Sequence, residues 1–119
     1  MNSLSDPGLR VEPRLQDSAA VLSVTGDVDA ANAHLLREAV LSVIDDGPPV
    51  VVVDLTEVGY IDSVGLGTLV ISLKRATEQR ATLRLVVTSP KIEKILKITG
   101  LLGIFEIYSD PQSAVSHRP

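Results

Sequence analysis

The sequence predicts a single α/β domain, a mixed sheet of four to five strands whose helices arrive on crossovers. Three features carry that expectation. Strand-like runs alternate with helix-like periods along the chain. The run VVVVDL (50–55) opens with four β-branched apolar residues, as a central strand covered on both faces requires. The apolar share is 45%, yet Tyr60, Phe105 and Tyr108 are the only aromatics, so aliphatic side chains must fill the core. A chain of 119 residues suits one compact domain, placed here at 9–113, with polar tails at 1–8 and 114–119 that are expected to be flexible.

The elements follow in order. LRVEPRL (9–15) alternates apolar and polar residues, which reads as a half-exposed strand. Pro13 has no amide to donate to a ladder, so this strand is expected at a sheet edge. QDS (16–18) turns the chain into AAVLSVT (19–25), and a hairpin results. Asp29 is placed to cap helix one, whose inner face would carry Leu36, Ala39, Val40 and Val43. Gly47 ends that helix, and two prolines bar its continuation. After VVVVDL comes helix two, Val64 to Gln79, with Leu66, Leu69, Val70 and Leu73 as its apolar repeat. TLRLVVT (82–88) is then a strand parallel to VVVVDL, because a helix crosses between them. Ser89-Pro90 is a cap followed by proline at the first helical position, and helix three runs to about Thr99 with Gly100 as its stop. IFEIY (104–108) is the last strand, and Asp110-Pro111 starts a final short helix.

Charge narrows the function. Fifteen acids against eleven bases give a net charge of −4, which disfavours direct nucleic-acid binding. The uncharged stretch Val64 to Leu73 is far short of the roughly 20 residues that span a bilayer, so no membrane insertion is expected. MNSLSDPGLR lacks an apolar signal core, and the chain is expected to be cytoplasmic. With no cysteine, disulfides and thiolate metal sites are excluded.

In an open α/β sheet, function gathers at the carboxyl ends of the strands. Two loops there are chemically unusual, TGDVDA (25–30) and TEVGYIDSVG (56–65). Either Asp62 or Ser63 could cap helix two, worth about 1 kcal/mol. A cap alone does not account for Gly65 and Gly67, each of which costs up to about 1 kcal/mol against alanine in a helix interior. Glycine there would let another backbone or a phosphate come close. A nucleophilic Ser63 is disfavoured, because Ile61 replaces the first glycine of the Gly-x-Ser-x-Gly elbow and the only histidines are His34 and His117. GLG lacks the lysine and spacing of a phosphate-binding loop. Oxygen ligation of a metal by Asp27, Asp29, Asp54 and Asp62 is conceivable, with capping as the more frequent role. What remains is a serine that is acted upon. At a helix N-terminus the amides and dipole tolerate a phosphate of about −1.5 to −2 charges.

On these residues the chain resembles a known family. VVVDLTEVGYIDSVGLGTLV is similar to the signature of STAS domains, in particular the bacterial anti-sigma factor antagonists. VTGDVDAANAHLLREAV resembles their first loop and helix, and SPKIEKILKITGLLGIFEIY their last helix and strand, so the likeness runs from about Leu9 to Pro111. The resemblance implies a STAS-like fold and a binding protein rather than an enzyme, with no cofactor, metal or catalytic residue. It implies phosphorylation at Ser63, and Val64 stands where some members carry a second hydroxyl. The implied partners are an anti-sigma factor that is also a serine kinase, bound by the unphosphorylated form, and a serine phosphatase that resets the switch. The expected partner-binding residues are Asp27, Asp29, Tyr60, Asp62, Ser63, Val64, Gly65, Leu66 and Gly67. Alternatives are an accessory subunit of a lipid-transport ABC assembly and a nucleotide-binding regulatory domain.

Overall fold

The computed structural model describes residues 4–6 and 8–117. Six strands form one sheet in sequential order: β1 (Leu4–Asp6), β2 (Leu9–Gln16), β3 (Ala19–Gly26), β4 (Val50–Glu57), β5 (Thr82–Val86) and β6 (Glu106–Tyr108). The first two pairings are antiparallel and the other three parallel. Crossovers are made by α1 (Ala33–Asp45), α2 (Ser63–Glu78) and α3 (Pro90–Ile98), and α4 (Pro111–Ser116) closes the chain. No helix among the described residues is long and apolar enough to cross a membrane.

The sheet thus has six strands rather than the expected four to five. The addition is β1, a three-residue strand, LSD, that carries no alternating pattern to betray it. It pairs with Leu9–Val11 only, so β2 is an inner strand at one end and an edge beyond it. Pro13 falls in the uncovered part, opposite Leu22 of β3, where its missing amide costs no bond on the outer side. Ordered structure also reaches into both segments read as tails, through β1 and through α4 with its buried Ala114. Residues 1–3, 7, 118 and 119 of those segments lie outside the described residues.

The two faces of the sheet differ. On one, α1, α2 and α3 pack Leu36, Val40, Leu69, Ile92 and Leu96 against Leu22, Val53 and Leu85 of the central strands. On the other, a small cluster of Val21, Val52, Val86 and Ala114 lies under α4. Arg84, only 1% exposed, holds that helix down. One guanidinium NH donates to the Ala114 carbonyl at 2.8 Å, and Nε donates to Glu106 at 3.2 Å.

Helix ends obey local chemistry. Ser89 and Asp110 accept amide hydrogens from Ile92 and Ser113 ahead of Pro90 and Pro111. Gly47 and Gly100 follow α1 and α3 with φ of +93° and +76°. Helix one begins later than Asp29 suggests. A turn intervenes, Asn32 occupies the N-cap position without a side-chain cap bond, and Asp29 accepts instead from Ala31 and Asn32 within the turn. The phase of α2 also differs from the sequence reading. Val70 and Ile71 are 37% and 47% exposed, whereas Thr68 and Ser72 are buried. Their hydroxyls donate to the Val64 and Thr68 carbonyls one turn back, so burial leaves neither unbonded.

Candidate functional site

The loops β3–α1 and β4–α2 meet at the carboxyl end of the sheet. Val28 and Ile61 form an isolated parallel bridge, with Val28 N–H donating to the Tyr60 carbonyl (2.9 Å) and Asp62 N–H to the Val28 carbonyl (3.0 Å). Asp62 then ties the loops through its side chain. One carboxylate oxygen accepts the amides of Val64 and Gly65, each at 3.0 Å, and the other accepts the amide of Ala30 at 3.0 Å. Asp62 is therefore the cap of α2 and the clamp between loops. Ser63 is the first residue of the helix, exposed, and its hydroxyl takes part in no hydrogen bond among the described residues. Of the two capping candidates, the structure selects the acid.

The two glycines have different reasons. A Cβ at Gly65 would stand 2.6 Å from Ile61 Cγ1 and 2.8 Å from Val28 Cγ1, so close packing of the bridged loops requires its bareness. A Cβ at Gly67 would meet nothing within 4 Å. Gly67 therefore leaves backbone uncovered on the outer side of the helix, in line with exposed Val64, Val70 and Ile71.

The acids are dispersed rather than convergent. Asp29 bonds within its own turn, and Asp27 lies against Gly59, where a Cβ would come within 2.9 Å of its Oδ1. Asp54 accepts from the Thr56 amide and hydroxyl at a bulge in β4. Among the described residues, no three His, Asp or Glu side chains are grouped so as to hold a metal. His34 is exposed on α1, and His117 packs its ring 5.5 Å from that of Tyr108. Neither hydrogen-bonds to Ser63.

A family model described as "STAS domain" matches residues 10–114. The chain belongs to the STAS family. The anti-sigma-B factor antagonist of Bacillus subtilis is 27% identical to it over 107 residues, 90% of this chain and 97% of that protein. The Staphylococcus aureus protein of the same name is 30% identical over 99 residues, covering 83% and 92%. Among solved structures, an anti-sigma factor antagonist from Mycobacterium paratuberculosis superposes with a TM-score of 0.85 at 29% identity, covering 95% of this chain and 97% of that one.

Within this STAS domain the nine residues singled out from the sequence share one end of the sheet but not one surface. Tyr60, Ser63, Val64 and Asp27 are exposed, Asp29, Asp62 and Gly67 are half-buried, and Gly65 and Leu66 are buried. Leu66 belongs to the core rather than to the face that solvent meets. Four further residues shape this end and were not among the expected partner-binding residues. Asn32, 5% exposed, accepts from the Asp29 amide and donates to the Asp27 carbonyl, fixing the shape of the acidic loop. Lys91, at the start of α3, sets its ammonium 5.4 Å from the centroid of the Tyr60 ring and adds a cation to an otherwise acidic end. Val70 and Ile71 extend the apolar row. Their signal was present, since the first turns of α2 are apolar all round and one side must face outward.

Proposed function

We propose that this STAS domain is an anti-sigma factor antagonist whose binding is switched off by phosphorylation of Ser63. The observation that carries the reading is the division of labour at the head of α2. Asp62 caps and clamps, which leaves Ser63 exposed, unbonded and free to enter a kinase site without disturbing the fold. The partner is an anti-sigma factor with serine kinase activity, and a serine phosphatase restores the binding form. Both meet the protein in the cytoplasm, where sigma factors act. The relatives named anti-sigma-B factor antagonists support the partner class.

The docking surface is Ser63 with Val64, Gly67, Val70 and Ile71, edged by Tyr60. It is low, uncharged and apolar, as a desolvated interface centre requires. A phosphate placed there carries about −1.5 to −2 charges at neutral pH that the complex would have to strip of water. A loss of about 3 kcal/mol weakens binding more than a hundredfold.

The experiment is incubation with ATP and the cognate anti-sigma kinase, read by mass spectrometry and by binding. Ser63 is expected to gain one phosphate and the modified protein to dissociate. Ser63→Ala should bind and stay bound, and Ser63→Glu should bind weakly. An unmodified Ser63, or equal affinities for the three forms, would refute the switch.

A further inference from the structure

At opposite ends of the sheet the molecule carries two exposed surfaces of opposite charge. At the β1 end, a groove of about 320 Å³ runs between α1 and the outer strands. Its lining is mixed: Leu4 and Pro13 supply apolar surface over the buried Ala39 and Val43, and Ser42, Glu38 and Asp46 supply the polar side. At the β6 end, the outward side of α3 is an open helix face that presents Lys94 and Lys97 with Pro90 and Ile98, and Glu93 lies among them. Ile98 is 72% exposed, the most exposed large apolar side chain among the described residues. Three of the chain's four lysines, Lys91, Lys94 and Lys97, lie on this nine-residue helix of a protein with net charge −4. The three ion pairs among the described residues are Arg10–Glu12, Arg75–Asp45 and Arg84–Glu106, and Glu38, Asp46, Lys94 and Lys97 take part in none of them.

We infer that copies of this chain associate head to tail, the α3 ridge of one seated in the α1–β2 groove of the next. Lys94 and Lys97 meet Glu38 and Asp46, and Ile98 lies over Leu4 and Pro13. The occupant is a second copy because the complement of each surface is present on the same molecule. The two patches are different, so the contact is heterologous and leaves a free ridge at one end and a free groove at the other. Neither patch includes Ser63 or the apolar row of α2, so association and switching use separate surfaces. The two net-acidic molecules repel weakly once charges are more than about 8 Å apart at physiological salt, and the exposed charge pairs that hold the contact weaken as salt rises further. The paired area is small, and such contacts are weak and concentration-dependent.

Sedimentation velocity of the full chain over a concentration series, at low and at high salt, tests this. The weight-average mass should rise above the monomer value of 12.7 kDa with concentration, and the rise should shrink in high salt. Lys94→Glu/Lys97→Glu and Glu38→Lys/Asp46→Lys should each remain monomeric, because each pairs like with like. All four positions are exposed, and circular dichroism melts should match the parent. An equimolar mixture of the two variants should associate again, because every ridge then finds a groove of opposite charge. A parent that stays monomeric throughout overturns the inference, as does association that survives in either variant alone. Two monomeric variants whose mixture stays monomeric overturn the self-docking.

Discussion

Asp62 and Ser63 divide two tasks that either residue type can perform. The carboxylate accepts two amides from the first turn of α2 and one from the β3–α1 loop, while the hydroxyl beside it accepts none. Replacing Asp62 by alanine should cost about 1–2 kcal/mol for the cap, with a further loss because the Ala30 amide loses its partner. Ser63→Ala should stay within about 0.5 kcal/mol of the parent, as an exposed unbonded side chain does. Urea titrations of both variants check this, and a large loss in Ser63→Ala would mean that the serine caps after all. The glycines make a second pair. Gly65→Ala drives a methyl into Ile61 and Val28 and should destabilise by about 1–3 kcal/mol. Gly67→Ala enters open space and should stabilise by up to about 1 kcal/mol. Under the proposed function that more stable variant should bind the anti-sigma partner less well, because the methyl raises a surface the partner must cover.

At the scale of elements, α4 shows how little holds a short helix. Its six residues rest on Val21, Val52 and Val86, and the Arg84 guanidinium donates to a carbonyl near its carboxyl end, where the helix dipole favours a cation. Arg84→Met keeps the bulk and removes the donors, leaving the Ala114 carbonyl without its side-chain partner among the described residues. A loss of about 1–3 kcal/mol is expected, with faster hydrogen exchange confined to α4. Exchange at α2 rising equally would show that Arg84 supports the whole sheet instead. Asp110 gives the same helix a pH dependence. The Ser113 amide, and then its hydroxyl, hold the Asp110 carboxyl below the usual aspartate value. A carboxylate with a depressed folded pKa stabilises above its unfolded pKa, and that contribution is lost as pH falls through the folded value. Protection of α4 should therefore decline below about pH 4, and Asp110→Asn should abolish that decline.

At the scale of the whole molecule, the pattern of the fold was legible where burial imposes a period. VVVVDL and the alternation of β2 each follow from two faces or one being covered, and the Ser-Pro and Asp-Pro starts were legible from capping chemistry and the fixed φ of proline. Strand β1 was not legible, because three residues paired along one edge show no period. Val70 was misplaced because hydropathy ranks valine above threonine and serine, yet Thr68 and Ser72 satisfy their hydroxyls within the helix and can be buried. At the site, the Asp-Ser pair announced itself by position. Asn32 did not, since a buried asparagine in a polar loop looks like a solvated one until its bonds are seen. Under the proposed function, the same separation between the rigid sheet and its surface end governs how a phosphate on Ser63 should read out. A phosphate on Ser63 gains up to about 1 kcal/mol from the dipole of α2, and repulsion from the neighbouring Asp62 carboxylate offsets part of that gain. No buried group has to move. The phosphorylated protein should therefore melt within a few degrees of the unmodified form and keep its amide exchange pattern across β3, β4 and β5, while its Kd for the anti-sigma factor rises at least a hundredfold. Calorimetry, hydrogen exchange and a binding titration on the same preparation check the three together. Loss of binding accompanied by a large drop in melting temperature would replace local charge with unfolding of the site as the mechanism.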